Sequence, residues 1–349
     1  MFNRSRAVLA LVILALVAAV PASAQSDILL RLRSGSPLGD RFRVDSAGGV
    51  VAKSFIGIGI IPQTGAGDRL MWHPFKASFR VGGVDGTQWD DGSTGFYSLA
   101  SGFNTIAQGN YSIAAGYGSW ALQSYGVGLG YSARSDGVGA VALGYLSTAN
   151  GNYSVAIGQR ASTNNFSGAI VLSDQSSTDS LLASANNQFS LRAAGGVRLY
   201  TNATKTTGVS LNAGGSSWNV ISDRNRKQDF RAVDGEDLLL RLRGVPVTTW
   251  RYRDEADRTT LHMGPMAQDW NAAFHFSSDD RTINMSDLDG VNLAGVRALE
   301  ARTAAQAAQV KVLQDENAAL RADVAALREQ NARFEERLRA IEEASVRRP

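Results

Sequence analysis

The chain has 349 residues, 36 of them Gly and none of them Cys, with a formal net charge of +3. The lack of Cys excludes a disulfide scaffold, a thiolate nucleophile and a Cys-ligated zinc site, and the three His (His73, His262, His275) make no metal spacing. Hydrophobic residues at 44% and aromatics at 8% suffice for a packed core, and so small a charge excess gives no electrostatic case for nucleic acid.

These averages conceal two materials joined near residue 221. Residues 221–349 hold 42 charged residues and 5 Gly, whereas residues 1–220 hold 25 and 31. The first part reads as Gly-rich β structure and the second as charged and largely helical. At the start, Arg4 and Arg6 precede an apolar run of 14 residues, Ala7 to Val20; Pro21 breaks it and Ala22-Ser23-Ala24 reads as a cleavage site. A bilayer span needs about 20 residues. The expectation is a signal peptide over residues 1–24, an exported mature chain, and no stable membrane span after its removal.

Residues 26–94 are β-like, with Ile28-Leu29-Leu30-Arg31-Leu32 and Phe79-Arg80-Val81 as strand candidates. A fourteen-residue repeat follows. Gly102, Gly116, Gly130, Gly144 and Gly158 keep that period, and so do Leu99, Ile113, Val127, Val141 and Val155 three positions earlier. Repetition at fixed period means stacked units, each too small to bury its own apolar face. Fourteen residues hold two short strands and two turns, and YSVAIG alternates as a half-buried strand does. The expected form is a β-roll with Val, Ile and Ala pointing inward and narrow coils. Tyr97, Tyr111, Tyr125 and Tyr153 fall on the same repeat. They read as turn and inter-coil packing, or else as an exposed aromatic row that binds glycan or a surface. Short strands follow at Gln188–Arg192, Gly196–Tyr200 and Gly208–Leu211. The fibre shows no pair of carboxylates arranged for glycosidase chemistry.

The repeat resembles the head of trimeric autotransporter adhesins, whose units carry the same SxAxG core. That resemblance covers residues 95–175 and implies left-handed parallel β-rolls, three of them packed about a threefold axis.

The junction Ile221-Ser222-Asp223-Arg224-Asn225-Arg226-Lys227 has two readings. Ser222 can cap the turn that follows, with Asp223 adding negative charge near a helix start. Alternatively Ser222 is a nucleophile and Lys227 its base, since a Ser hydroxyl needs an adjacent base. Lys serves as that base only when neutral, a form that burial and the nearby Arg224 and Arg226 would favour. ISDRNRKQDF, then LLLRLRGVPVTTWRYRD and HMGPMAQDW, resemble the intramolecular chaperone domain of phage endosialidases and tail spikes, peptidase family S74. The family pattern is Ser-Asp-x-x-x-Lys, a Leu-rich helix ending in a Pro–aromatic strand, a Gly-x-x-Ala-Gln motif (here Gly264, Ala267 and Gln268) and a long trimerising helix. Gln-Asp-Phe after Lys227, and Asp269 after the Ala-Gln pair, depart from the family's usual residues.

The resemblance implies a domain that trimerises the chain, guides folding of the preceding fibre and then cuts itself off. It implies Ser222 as nucleophile, Lys227 as general base, Asp223 as an orienting carboxylate and Ile221–Ser222 as the scissile bond. No cofactor and no metal is expected.

From Val296 the pattern is heptad. One series is Leu299, Gln306, Leu313, Leu320, Leu327, Phe334 and Ile341; the other is Thr303, Val310, Asn317, Val324, Asn331 and Leu338. Leu at most d positions, with Val and Asn at a, leans toward a parallel dimer. Both resemblances imply a trimer, and the trimer is the expectation.

The whole reads as a mainly β fibrous head (a trimeric left-handed parallel β-roll), then an α+β chaperone domain and a C-terminal coiled coil. The expected divisions are 1–24 (signal peptide), 25–94 (β-rich), 95–175 (head), 176–220 (stalk or collar), 221–295 (chaperone) and 296–345 (coiled coil). The expected function is an exported, adhesin-like homotrimer that autocleaves at Ile221–Ser222. The alternative is a surface protein whose C-terminal domain is a permanent trimerisation module. The chain itself is the expected partner, with a host glycan or matrix ligand possible and no nucleic acid. The expected location is outside the cell, or on the outer surface, of a Gram-negative-type bacterium.

Overall fold

The computed structural model describes residues 28–34 and 39–346, so the expected signal peptide lies outside the described residues. The chain divides into two compact units, one ending at Ser222 and the other beginning at Asp223.

The first unit opens with an antiparallel sheet of Ile28–Ser34, Gly39–Asp45 and Val50–Ala52. A hairpin of Gly67–His73 and Ser78–Val84 then leads into the roll. Strand Ser78–Val84 pairs in parallel with Leu99–Phe103. From there five-residue strands stack in exact repeat register: Ile113–Tyr117, Val127–Tyr131, Val141–Tyr145 and Val155–Gln159. A second sheet of two-residue strands, Ile106–Ala107 to Leu181–Leu182, stacks alongside. The parallel ladder outlasts the fourteen-residue period. Val155 pairs with Ile170 and Ile170 with Phe189, so the ladder runs to Arg192. Strands Val197–Tyr200, Gly208–Leu211 and Trp218–Val220 then form an antiparallel collar.

The inside of the roll corrects the expected core. The inward positions of the long strands are Ala100, Ala114, Gly128, Ala142, Ala156 and Val171, all buried. The short strands contribute Ala107, Ala121, Ser135 and Ala149, also buried. The larger Leu99, Ile113, Val127, Val141 and Val155 point the other way and stay partly exposed. The reason is width: two turns per fourteen residues leave room between the sheets for Ala and Ser. Most buried hydroxyls in this space are paired, as buried polar groups usually are; Ser78 Oγ and Thr105 Oγ1 are exceptions among the described residues. Ser98, Ser112 and Ser154 donate to Gly95, Gly109 and Gly151 carbonyls at 2.6–2.7 Å. Ser119 and Ser147 donate to Gly130 and Gly158 carbonyls at 2.7 and 2.9 Å.

The period of Gly102 to Gly158 has a backbone cause. These residues have φ between +106 and +129, and a Cβ on any of them would lie 2.0–2.2 Å from the carbonyl oxygen of the equivalent residue in the next coil. Only Gly permits both.

Larger side chains plug the start of the roll. Trp89 is fully buried and donates from Nε1 to the Thr105 carbonyl at 2.8 Å. Arg80 is also fully buried. Its guanidinium donates to the carbonyls of Phe79 (2.8 Å), Ser98 (3.0 Å) and Ala107 (3.1 Å) and to Ser98 Oγ (2.8 Å). Desolvation lowers its pKa to about 10. At the far end, Asp174 accepts from Arg192 Nε at 3.1 Å and from the Ala194 amide at 2.6 Å.

The second unit is α+β. Helix α1 (Gly235–Gly244) is capped by Asp234, which accepts from the Glu236 and Asp237 amides. Strands Thr248–Trp250 and His262–Gly264 pair antiparallel. Helix α2 spans Ala267–Phe274 and ends on His275 in the left-handed conformation. Helix α3 spans Met285–Val346. Leu238, Trp270, Phe274 and Val291 form the core that joins the three helices. Gly235 lets α1 meet α3 closely, since a Cβ there would lie 2.7 Å from the Ala298 Cβ. The Arg302–Glu236 ion pair ties the same two helices. Among the described residues, no helix is long and apolar enough to cross a membrane.

Candidate functional site

The residues that the sequence marks for chemistry fall at the end of the first unit and the start of the second, and each stretch is built by its own local structure. On the fibre side, the last collar strand brings the chain to Ile221, whose amide donates to the Gly208 carbonyl at 3.3 Å. That bond continues the antiparallel pairing one residue beyond the strand. Ser222 ends this unit.

On the other side, Arg224–Arg226 form a single 3₁₀ turn. Its N-cap is Asp223, whose carboxylate accepts from the Asn225 amide at 2.9 Å and from Asn225 Nδ2 at 3.1 Å. The capping role considered for Ser222 is thus held by Asp223. A carboxylate at that position suits the exposed N–H groups of a turn. Lys227 is the C-cap, its amide donating to the Arg224 carbonyl at 3.1 Å. One turn therefore carries both Asp223 and Lys227. Arg224 lies over the Phe230 ring, 5.2 Å from its centroid, which turns that guanidinium to an aromatic face. Residues 221–231 are all exposed in the single chain.

The Gly-x-x-Ala-Gln residues gather at one corner of the second unit. Gly264 ends its strand opposite Thr248, and Ala267 and Gln268 open α2 behind the Met266 cap. Beside this corner His262, which its place before the Ala-Gln motif offers as an alternative base or as a packing and hydrogen-bonding residue, joins an aromatic cluster. His262 stacks on Trp250 (centroids 4.7 Å, planes 21° apart) and meets Tyr252 edge-on at 5.3 Å. Its Nε2 lies 2.9 Å from Glu255 Oε2. The sequence signal for this cluster was the pairing of two strands, TTW and HMG, which sets Trp250 opposite His262.

Comparison with family models matches residues 222–276 to the chaperone of endosialidase family. It matches residues 93–119 and 135–161 to two copies of the YadA head domain repeat. No curated protein and no solved structure matches the chain. A chaperone-like region and β-roll head repeats are therefore both present, the head repeats first and the chaperone-like region second. The first match begins on Ser222, the residue at which the fibre unit ends.

Proposed function

We propose that this chain is the precursor of an exported homotrimeric, adhesin-type fibre whose C-terminal unit assembles it and then releases it by a single cut at Ile221–Ser222. The observation that carries this reading is that coincidence at Ser222: the chaperone match starts where the compact β unit stops. A cut there would separate two units that are each packed around their own core.

Self-association is supported by what a single chain leaves uncovered. The outward rows of the nine-stranded sheet run Trp72, Phe79, Leu99, Ile113, Val127, Val141, Val155, Ile170, Phe189 and, beside them, Leu70, Val81, Ser101, Ala115, Leu129, Leu143, Ile157, Leu172, Leu191. A contiguous apolar face of this extent marks an interaction surface. The 62-residue α3, about 93 Å long at 1.5 Å per residue, exposes Leu313, Leu320, Leu327, Phe334 and Ile341 along its heptad seam. Association of three chains, through a coiled coil of α3 helices and through packing of three rolls, would cover both surfaces. Location outside the cell or on its surface follows from the head repeats and the expected signal peptide.

In the proposed chemistry Lys227 takes the Ser222 hydroxyl proton and Ser222 Oγ attacks the Ile221 carbonyl carbon. The Ile221–Ser222 amide breaks, the proton passes to the departing Ser222 nitrogen, and the Ile221 acyl group rests as an ester on Ser222 Oγ. Water then hydrolyses the ester, leaving an Ile221 carboxylate and regenerating the hydroxyl. The reacting groups belong to one chain, so no substrate-binding affinity is needed. A neutral lysine requires a desolvated setting, and Lys227 is exposed in the single chain. Assembly supplies that setting in this reading, so the cut reports completed folding.

Ser222→Ala tests the proposal on a denaturing gel after export. The wild type is expected as fragments Gln25–Ile221 and Ser222–Pro349, and the variant as one intact chain. An intact wild-type chain would establish instead the permanent trimerisation module.

A further inference from the structure

The heptad seam of α3 is exposed in the single chain from Leu299 to Ile341. The step from a to d is three residues and from d to a four. Thr303, Val310, Asn317, Val324, Asn331 and Leu338 are therefore the a series, and the series from Leu299 to Ile341 is d. Two features of this strip single out one arrangement of copies.

The first is polar. Asn317 and Asn331 occupy a positions among Val and Leu. Asn317 Nδ2 donates to the Leu313 carbonyl of its own helix at 2.9 Å. A carboxamide has a second N–H and a carbonyl oxygen, and both need partners once the seam is dry. In a parallel, unshifted coil each Asn meets its own copy, which can both donate and accept. A shift of one heptad sets both Asn against Val or Leu. An antiparallel coil over the same segment sets Asn317 against Leu327 and Asn331 against Leu313. Either alternative buries amides without partners, which is costly.

The second is charge. In a parallel, unshifted coil each g residue reaches the e residue five positions on in the neighbouring helix. Those pairs include Glu316 with Arg321, Asp323 with Arg328 and Arg337 with Glu342, and no g–e pair of the segment joins like charges. Among the described residues, none of these six forms an ion pair within its own chain, whereas Glu329 and Arg333 pair within the helix. A one-heptad shift brings Asp323 against Glu335. The antiparallel coil brings Glu300 against Glu342 and Arg321 against its own copy.

We propose that α3 is a recognition strip for parallel, unshifted copies of itself, in which Asn317 and Asn331 fix the alignment and the three charge pairs fix the direction. This rests on the self-association proposed above and adds its orientation and register. Copies aligned in this way carry their chaperone-like units side by side at one end of the coil.

The chain has no Cys, so introduced thiols report neighbours without background. The test uses the full chain carrying Ser222→Ala, with its oligomeric state read by sedimentation. Under mild oxidation, Leu338→Cys should cross-link one chain to another. Leu338→Cys chains produced together with size-tagged Gln306→Cys chains, which an antiparallel coil would set opposite each other, should give no mixed product. Arg321→Glu with Arg328→Glu should slow the Leu338→Cys cross-link about tenfold at low salt, and less at about 1 M salt, where charges are screened within about 3 Å. Adding Glu316→Arg and Asp323→Arg exchanges the signs and should restore the rate. Asn317→Val with Asn331→Val should admit slipped coils, seen as mixed cross-links between Leu327→Cys chains and tagged Phe334→Cys chains that the Asn-bearing parent does not give. A monomer in sedimentation overturns the self-association and this proposal together. In a chain that does associate, any of four results overturns this proposal alone: a mixed product of Leu338→Cys with Gln306→Cys, slipped cross-links in the parent, an unchanged rate in the two-site charge variant, or no recovery in the four-site one.

Discussion

The claim that the fourteen-residue period is set by backbone contact between coils is open to a sharp test at Gly116. Its φ is +110, and a Cβ there would lie 2.1 Å from the Gly130 oxygen and 2.9 Å from the Gly130 carbonyl carbon. Those are backbone atoms of the next coil, which cannot yield without opening the ladder between Ile113–Tyr117 and Val127–Tyr131. Gly116→Ala should therefore incur backbone strain of about 1–3 kcal/mol and overpacking of about 1–3 kcal/mol. At about 1–3 kcal/mol per molar urea, the unfolding midpoint should fall by about 1 M or more. The control lies two residues away. Gly118 also has positive φ, at +59, but a Cβ there would meet only Ser132 Oγ, at 3.4 Å. The same position holds Asn104, Ser132, Leu146 and Arg160 in other coils, all with φ near 50. Gly118→Ala should cost about 1 kcal/mol. Urea unfolding followed by far-ultraviolet circular dichroism, in the Ser222→Ala background so that the chain stays whole, compares the two. Equal midpoints for the two variants would refute the argument, because it would reduce the Gly period to a preference for positive φ.

Tyr111 stacks on two neighbours and Tyr97 on one. At about 0.5–1.5 kcal/mol per aromatic pair, Tyr111→Ala should lower the urea midpoint about twice as much as Tyr97→Ala, and equal losses would mean that the stacks carry no energy of their own. Asp174 predicts a pH dependence. Hydrogen bonds from Ser176, then the Ala194 amide and the Arg192 side chain, hold its pKa at about 2 against an ordinary 3.8. The unfolded chain binds the proton more readily there, so the contribution is fully present above pH 4 and is lost as the pH falls toward 2. The difference in stability between wild type and Asp174→Asn should shrink across that window, and a constant difference in acid titrations of unfolding would remove Asp174 from the account.

The repeat was legible because its cause is local and strict: a Gly every fourteen residues where two backbones touch. The direction of the strands was misread for an equally physical reason. Alternation in YSVAIG marks two faces without saying which is inside, and the larger aliphatics are the usual choice for a core. In this roll the interior is one Ala wide, so Ile113 and Val141 take the outer face and Ala114 and Ala142 the inner. The ladder's continuation to Arg192 was illegible because extra residues in a turn erase the period without disturbing strand register, as the pairing of Ile170 with Phe189 shows. Arg80 gave no warning either. A charged residue in a strand normally faces water, and this one is buried where its guanidinium donates to the Ser98 and Ala107 carbonyls and to Ser98 Oγ.

The same narrowness bears on why a fibre of this kind travels with a chaperone. A coil whose core is Ala and Ser buries little apolar area, at roughly 25 cal/mol per Å², while ordering each residue costs about 1–2 kcal/mol of backbone entropy. Its larger side chains, which would repay that cost, lie on the outer face, which the proposed association of chains would cover. Until then the growing ladder presents both an apolar face and an unpaired strand edge, the two features that favour misassembly. The C-terminal unit has a core of its own, Leu238, Trp270, Phe274 and Val291. In the proposed assembly it would gather chains through α3 before the rolls close on one another. In the proposed cut Asp223 and Lys227 stand on the unit's first turn, next in sequence to Ser222, so removing the unit breaks no contact within its core.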